Sequence, residues 1–154
     1  MPLNFFLPTE QVRSRIGQRR KMASESILGG SELIAFAPTT NPARARAFYE
    51  GVLGLRLVAD EAPFSLVFEA NGTMLRVTTV REHHPDPFTV LGWRVEDIVD
   101  AVEKLTAAGV VFDRYKGMND KDPYGIWKAP SGARIAWFKD PDGNVLSLTE
   151  FPKN

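Results

Sequence analysis

Between Ser31 and Phe151 the chain runs twice through one order of elements, strand–helix–strand–strand–strand. A chain that repeats itself in this way builds two like halves, each needing the same kind of core. In the first half, Glu32 to Ala37 has the length of a strand, and Asn41 precedes Pro42 as a helix cap precedes a first-turn proline. The helix is predicted to run to Leu53, burying Ala45, Phe48, Tyr49 and Val52, with Gly54 as its stop. Strands are predicted over Leu55 to Val58, Phe64 to Ala70 and Thr73 to Val80, the last two joined by the hairpin signal Asn71-Gly72.

The second half opens with a strand at Thr89, then a helix starting at Glu96-Asp97 with Ile98, Ala101, Val102 and Leu105 on one face and Gly109 at its end. Val110 to Tyr115, Ala133 to Lys139 and Val145 to Glu150 are its predicted strands. A shift of 56 residues superposes Ile34 on Val90 and Asn41 on Asp97, and a shift of 71 superposes Gly72 on Gly143 and Leu75 on Leu146. The expected class is α+β: tandem βαβββ modules forming a curled mixed sheet, an incomplete barrel with helices on the convex side.

Composition narrows the functions. The 154 residues carry 19 basic and 19 acidic side chains, which removes the positive field that nucleic-acid binding needs, and no nucleic-acid partner is expected. Cysteine is absent, which excludes disulfides, thiolate metal sites and cysteine nucleophiles. No apolar run approaches the ~20 residues of a membrane span, so no membrane partner is expected and the location is read as cytoplasmic. Residues 1–30 read as a disordered or loosely docked extension, with Arg13, Arg15, Arg19, Arg20 and Lys21 concentrated in it. Its Phe5-Phe6-Leu7 patch is shorter than the about 7–15 apolar residues of a signal peptide and precedes the charges, and Met22 offers an alternative start. One domain spans 31–151, with module one at 31–80, a linker at 81–88 and module two at 89–151.

Three stretches, Ala47-Phe48-Tyr49-Glu50-Gly51-Val52-Leu53-Gly54-Leu55, Ala107-Ala108-Gly109-Val110 and above all Phe138-Lys139-Asp140-Pro141-Asp142-Gly143-Asn144-Val145-Leu146, make the sequence resemble the vicinal oxygen chelate superfamily. That superfamily includes glyoxalase I, bleomycin-resistance proteins, extradiol dioxygenases and fosfomycin-modifying enzymes. The resemblance implies a ligand site on the concave side, closed by paired modules within or between chains, and a homodimer. Asp140, Asp142 and Asn144 themselves read as turn formers, bonding neighbouring amides.

Metal-dependent members hold a divalent ion with side chains from the first and last strands of each module. By the shifts above, those positions here are Ile34, Val90, Arg76 and Ser147. Ile and Val have no donor atom, Arg is a fixed cation and Ser is a weak ligand, so no metal and no other cofactor is expected. His83 and His84 lie adjacent on the linker without a chelating spacing, and no phosphate or dinucleotide fingerprint is present.

Strand alternation places Ile34, Phe36, Val67, Met74 and Arg76 of module one on the concave side, with Val90, Gly92, Arg94, Ile135, Trp137, Val145 and Ser147 of module two. Within that set, the candidate ligand-binding residues are Ile34, Phe36, Met74, Arg76, Val90, Arg94, Trp137 and Ser147. Arg76, in mid-strand, requires a ligand anion or an internal carboxylate such as Glu69. The loop Lys116 to Pro130, with Tyr124 and Trp127, reads equally as a lid and as an edge hairpin or dimer contact. The function expected is binding of a small hydrophobic or aromatic anionic molecule without a metal. The alternatives are a metal-dependent lyase or dioxygenase with ligands displaced to Glu150, Glu69 or His84, and a sensor module that regulates a partner. No acid–base pair suggests itself, and no catalytic residue is assigned.

Overall fold

The computed structural model describes residues 26–154; the basic tail and the Met22 start fall outside the described residues. Residues 26–33 form bends and turns, with the Gly29 amide donating to Ser26 Oγ at 2.7 Å. Residues 34–154 form a separate compact unit of two four-stranded sheets.

Module one contains β1 (Ile34–Thr39), α1 (Pro42–Arg46) widening into a π-helical turn (Ala47–Val52), β2 (Arg56–Glu61), β3 (Ser65–Ala70) and β4 (Thr73–Thr79). Its sheet order is β1-β4-β3-β2, with β1 parallel to β4 and the other pairs antiparallel. Module two contains β5 (Thr89–Arg94), α2 (Ile98–Ala107), β6 (Trp127–Lys128), β7 (Arg134–Lys139) and β8 (Val145–Glu150), in the order β5-β8-β7-β6. The repeat read from the sequence is thus repeated in the pairing, since each first strand lies parallel to the last strand of its own module.

The caps fall where the residues place them. Asn41 accepts from the Arg44 amide at 3.1 Å and Asp97 from the Asp100 amide at 3.0 Å, each satisfying a free donor of the first helical turn. Asn71 (φ 46°) and Gly72 (φ 90°) make the left-handed turn between β3 and β4. Ala45, Tyr49, Ile98 and Val102 are buried against Leu75, Val77, Leu146 and Leu148, and one hydrophobic core joins both modules.

Three expectations are corrected. The helix after Asn41 does not stay regular: the Leu53 amide bonds the Phe48 carbonyl at 2.9 Å, five residues back, and the extra residue turns both Phe48 and Tyr49 inward, edge to face at 5.2 Å. The strand after Gly54 begins one residue later and runs on to Glu61. Val110 to Tyr115 is not a strand, because only Phe112 bridges β7, opposite Phe138. The chain leaves the sheet at Asp113 and returns to the same edge of β7 at Trp127, opposite Ile135, so the fourth strand of module two is interrupted by a loop, residues 113–126.

Candidate functional site

Each sheet has one face against its helix and one turned away. In β1 the first face holds Ala35, Ala37 and Thr39, while Ile34 and Phe36 stand on the other, 45% and 60% exposed. Paired residues share a face, which fixes transverse rows across each sheet. One row of module one reads Phe36, Arg76, Val67, Ala59, and the next reads Ile34, Met74, Glu69, Arg56. In module two the corresponding rows are Gly92, Ser147, Trp137 and Arg94, Thr149, Ile135, Trp127.

The register brings most of the sequence-predicted residues onto these open faces. Ile34, Phe36, Met74, Arg76, Arg94, Trp137 and Ser147 all fall in the rows, with Val67 and Ser147 nearly covered by their neighbours. Val90 differs: it is the unpaired residue of a bulge between Thr89 and Leu91, 40% exposed and outside the ladder. Gly92, not Val90, therefore faces Ser147, and Phe36, not Ile34, faces Arg76.

Arg76 finds its partner inside the molecule. Its guanidinium donates to Glu61 Oε2 and to Ser65 Oγ, the latter at 3.0 Å, and the Ser65 hydroxyl donates to the same carboxylate at 2.9 Å. Those two bonds, from Ser65 first and Arg76 second, hold the Glu61 carboxyl below its usual range. Glu69, the partner named from sequence, instead accepts from the Gly72 amide in its own turn. Arg94 makes no ion pair among the described residues and lies over the Phe151 ring, 5.4 Å from its centroid.

Module two supplies an aromatic wall that the sequence reading resolved only in part. Trp137 stands edge to face with Tyr115 at 5.7 Å and tilted by 32° against Trp127 at 6.0 Å, and its indole N–H donates to Thr89 Oγ1 at 3.2 Å. The sequence reading puts Tyr115 in a strand and Trp127 in a loop read equally as a lid and as an edge hairpin or dimer contact; in the structure Trp127 opens the edge strand β6. The usable signal was their position at the two ends of one polar insertion. That insertion is braced: Asn119, 1% exposed, donates to the Asp113 and Gly125 carbonyls and accepts from the Tyr115 amide, so it does not have the construction of a loose lid.

The residues present do not fit a divalent metal. Around the paired positions the open faces offer Phe36, Arg76, Gly92 and Ser147, and one step along Ile34, Met74 and Val145, none of them a strong oxygen or nitrogen donor; the carboxylate next in that row, Glu69, accepts from the Gly72 amide. The carboxylates considered as displaced ligands are otherwise engaged. Glu150 lies on the helix side, where Oε2 accepts from the Ile98 amide at 2.8 Å and Oε1 is 3.5 Å from Arg134. His83 Nε2 is 2.6 Å from Asn144 Oδ1, and because the Asn144 amide nitrogen already donates to the Pro38 carbonyl and to Asp140, His83 is the donor. His84 is exposed on the linker. Among the described residues no group of three or more His, Cys, Asp or Glu could hold an ion.

The Asp140-Pro141-Asp142-Gly143-Asn144 turn does more than bend its own chain. Asp140 Oδ1 accepts from the Asp142 and Asn144 amides, as the turn requires, while Oδ2 accepts from the Tyr49 hydroxyl at 2.7 Å. Asp142 reaches module one as well, accepting from the Thr39 hydroxyl at 2.6 Å and from the Thr40 amide and hydroxyl at 2.7 and 2.8 Å.

Two mixed sheets of like topology, with helices on one side and an open face on the other, define a paired-module α+β fold. Residues 33–148 match the family model for the Glyoxalase/Bleomycin resistance protein/Dioxygenase superfamily, and the chain belongs to that superfamily. It is similar in structure to TnmS3, an antibiotic-binding protein from Streptomyces sp. CB03234, at 23% identity and a TM-score of 0.63, covering 82% of this chain and all of that one. A bleomycin resistance determinant encoded on the transposon Tn5 aligns at 20% identity and a TM-score of 0.62, covering 80% and 99% of the two chains. A lactoylglutathione lyase from Agrobacterium tumefaciens aligns at 16% identity and 0.61, covering 78% and 92%. No curated protein matches the sequence. An antibiotic-binding protein, a resistance determinant and a lyase superpose about equally well, so the fold by itself does not choose between them.

Proposed function

We propose that the protein binds a small hydrophobic or aromatic anionic molecule on the open faces of its two sheets, without a metal, as a cytoplasmic homodimer. The observation that carries this reading is the apolar character of a face built on rigid strands yet left open: Phe36 is 60% exposed, Ile34 45% and Met74 40%. Such side chains on a regular sheet are covered by a ligand, a second copy or both. The anionic group is assigned to Arg94, since Arg76 is neutralised by Glu61. For catalysis by displaced metal ligands, Glu150 and Glu69 already accept backbone amides, and His84 stands exposed on the linker beside His83, which is bonded to Asn144.

The test begins with elemental analysis of the purified protein after dialysis against Mn, Fe, Ni and Zn. Near-stoichiometric retention of one ion would overturn the metal-free reading. Without retention, a panel of aromatic carboxylates is titrated against the wild type and Arg94→Ala, with sedimentation to establish the dimer. Loss of affinity in the variant is the expected result, and indifference to it would sink the assignment of the anion.

A further inference from the structure

We infer that the insertion 113–126 is the specificity element of this site, and that it selects a planar ring system over a saturated molecule of the same size and charge. The inference rests on the open face being the ligand site.

The argument starts from the interrupted strand. A simple edge strand would have run from Phe112 straight to the position opposite Ile135, exposing alternate side chains. Here the chain leaves β7 after the Asp113 amide bonds the Trp137 carbonyl at 2.8 Å, and it rejoins only at Trp127. Both points of departure and return put an aromatic residue against Trp137: Tyr115 at one edge of the indole, Trp127 beside its face. Across the same row, Gly92 and Ser147 are small. A Cβ on Gly92 would come within 2.7 Å of Ser147 Oγ, so this part of the floor is already at its closest approach. Gly92 is exposed and Ser147 is covered, so the row is low beside Trp137, and the Trp137, Tyr115 and Trp127 rings next to it offer aromatic surface to a flat molecule, which gains from its π-face. Module one has no counterpart, because its corresponding row carries Phe36 and Arg76 in place of the small residues.

The loop is stiff where this role requires it. The Arg114 guanidinium collects the backbone carbonyls of Asp122 and, at 3.1–3.4 Å, of Asn119, Asp120 and Pro123. Asp122 Oδ2 accepts from the Tyr124 and Ile126 amides, both at 2.9 Å, immediately before Trp127. Arg114 and Asn119 point into the loop and are positioning residues; Trp127 and Tyr115 are the ones that would touch the ligand.

The experiment is calorimetric titration with 2-naphthoate and its saturated isostere, decahydronaphthalene-2-carboxylate. The wild type is expected to bind the planar acid roughly tenfold more tightly. Trp127→Leu and Arg114→Ala are expected to bring the ratio close to one while retaining binding of the saturated acid. The exciton couplet of Trp127 and Trp137 in circular dichroism checks that the Arg114 variant has lost the cluster and kept the fold. Phe36→Ala, remote from the insertion, is expected to weaken both acids alike. If both acids bind and Phe36→Ala weakens both, but the ratio is near one or survives Trp127→Leu, the inference is overturned and the open-face reading stands. If neither acid binds, or if Phe36→Ala and Arg94→Ala leave both unchanged, both ideas fall together.

Discussion

The hydroxyl of Tyr49, in the π-helical turn of module one, donates a 2.7 Å hydrogen bond to Oδ2 of Asp140 in the β7–β8 turn of module two. Both residues are buried, and the ring of Tyr49 also packs 5.7 Å from Phe68. Burial and then the charge of Asp140 push the phenol far above its normal range, so it remains protonated in the native state. Tyr49→Phe keeps the packing and leaves Asp140 Oδ2 with only the Asn144 side-chain amide, so the expected loss is about 1–2 kcal/mol in urea unfolding. A neutral result would show that the bond adds nothing to packing.

Asp142 gives the junction an acid limit. Its desolvation favours the neutral form, but the bonds from the Thr39 hydroxyl and the Thr40 amide and hydroxyl, aided by Arg44, outweigh it and hold its carboxyl below the ordinary aspartate range. A carboxyl depressed in the folded state stabilises above the unfolded pKa, and that contribution is lost as pH falls through the folded one. Wild type is therefore expected to lose stability below about pH 4, whereas Asp142→Asn, destabilised by about 2–3 kcal/mol at pH 7, loses less on further acidification. Melting temperatures at pH 7, 5 and 3 decide it; parallel curves for the two proteins would count against the assignment.

On the open face of module one, Glu61 reports the state of Arg76. In Arg76→Met the Ser65 hydroxyl remains to depress the Glu61 carboxyl but the guanidinium does not, so its titration should move up toward the ordinary glutamate range without reaching it. Carbon-detected NMR of the glutamate carboxyls follows this directly. An unmoved Glu61 would mean that the pair is not formed in solution.

Gly92 and Ser147 should couple. Gly92→Ala brings a methyl against Ser147 Oγ and costs about 1–2 kcal/mol by overpacking, and Ser147→Ala in the same molecule should recover most of it. The four-protein cycle is read by denaturant unfolding, and additive costs would place the two residues further apart than described.

Asn119 holds the insertion closed with three hydrogen bonds to its backbone. Its replacement by alanine leaves those groups unsatisfied, at about 2–4 kcal/mol. Limited proteolysis should then cut within 113–126 while β7 and β8 stay protected from hydrogen exchange. Uniform loss of protection would show that the loop is part of the global folding unit.

What was legible in the sequence was whatever local chemistry decides. Asn41-Pro42 and Asp97 announce helix starts, Asn71-Gly72 a left-handed turn, and the apolar alternation of β4, β7 and β8 the two faces. The residues that escaped depend on register. Nothing near Arg76 in sequence shows that β2 would extend to Glu61 and place that carboxylate beside it, fifteen residues away. Val90 looked equivalent to Ile34 because a bulge adds a residue without leaving a mark in an apolar run. Val110 to Phe112 has the hydropathy of a strand, and only the backbone carbonyls gathered by Arg114 explain why the chain turns away after it. Asp140 reads correctly as a turn former bonding the Asp142 and Asn144 amides, but its bond to Tyr49, and all of the side-chain bonding of Asp142, needed Tyr49, Thr39 and Thr40 to arrive from the other module.

The interruption lies in the outermost strand of its sheet, and no described strand lies beyond β6. Residues can be added to or removed from 113–126 without shifting a single pairing between β5, β8 and β7, so changes of length here are absorbed outside the ladder. The chain thus keeps its inherited architecture and its adjustable part on separate accounts of sequence: one segment can drift, be exchanged or be randomised in the laboratory while the remaining strands hold their places.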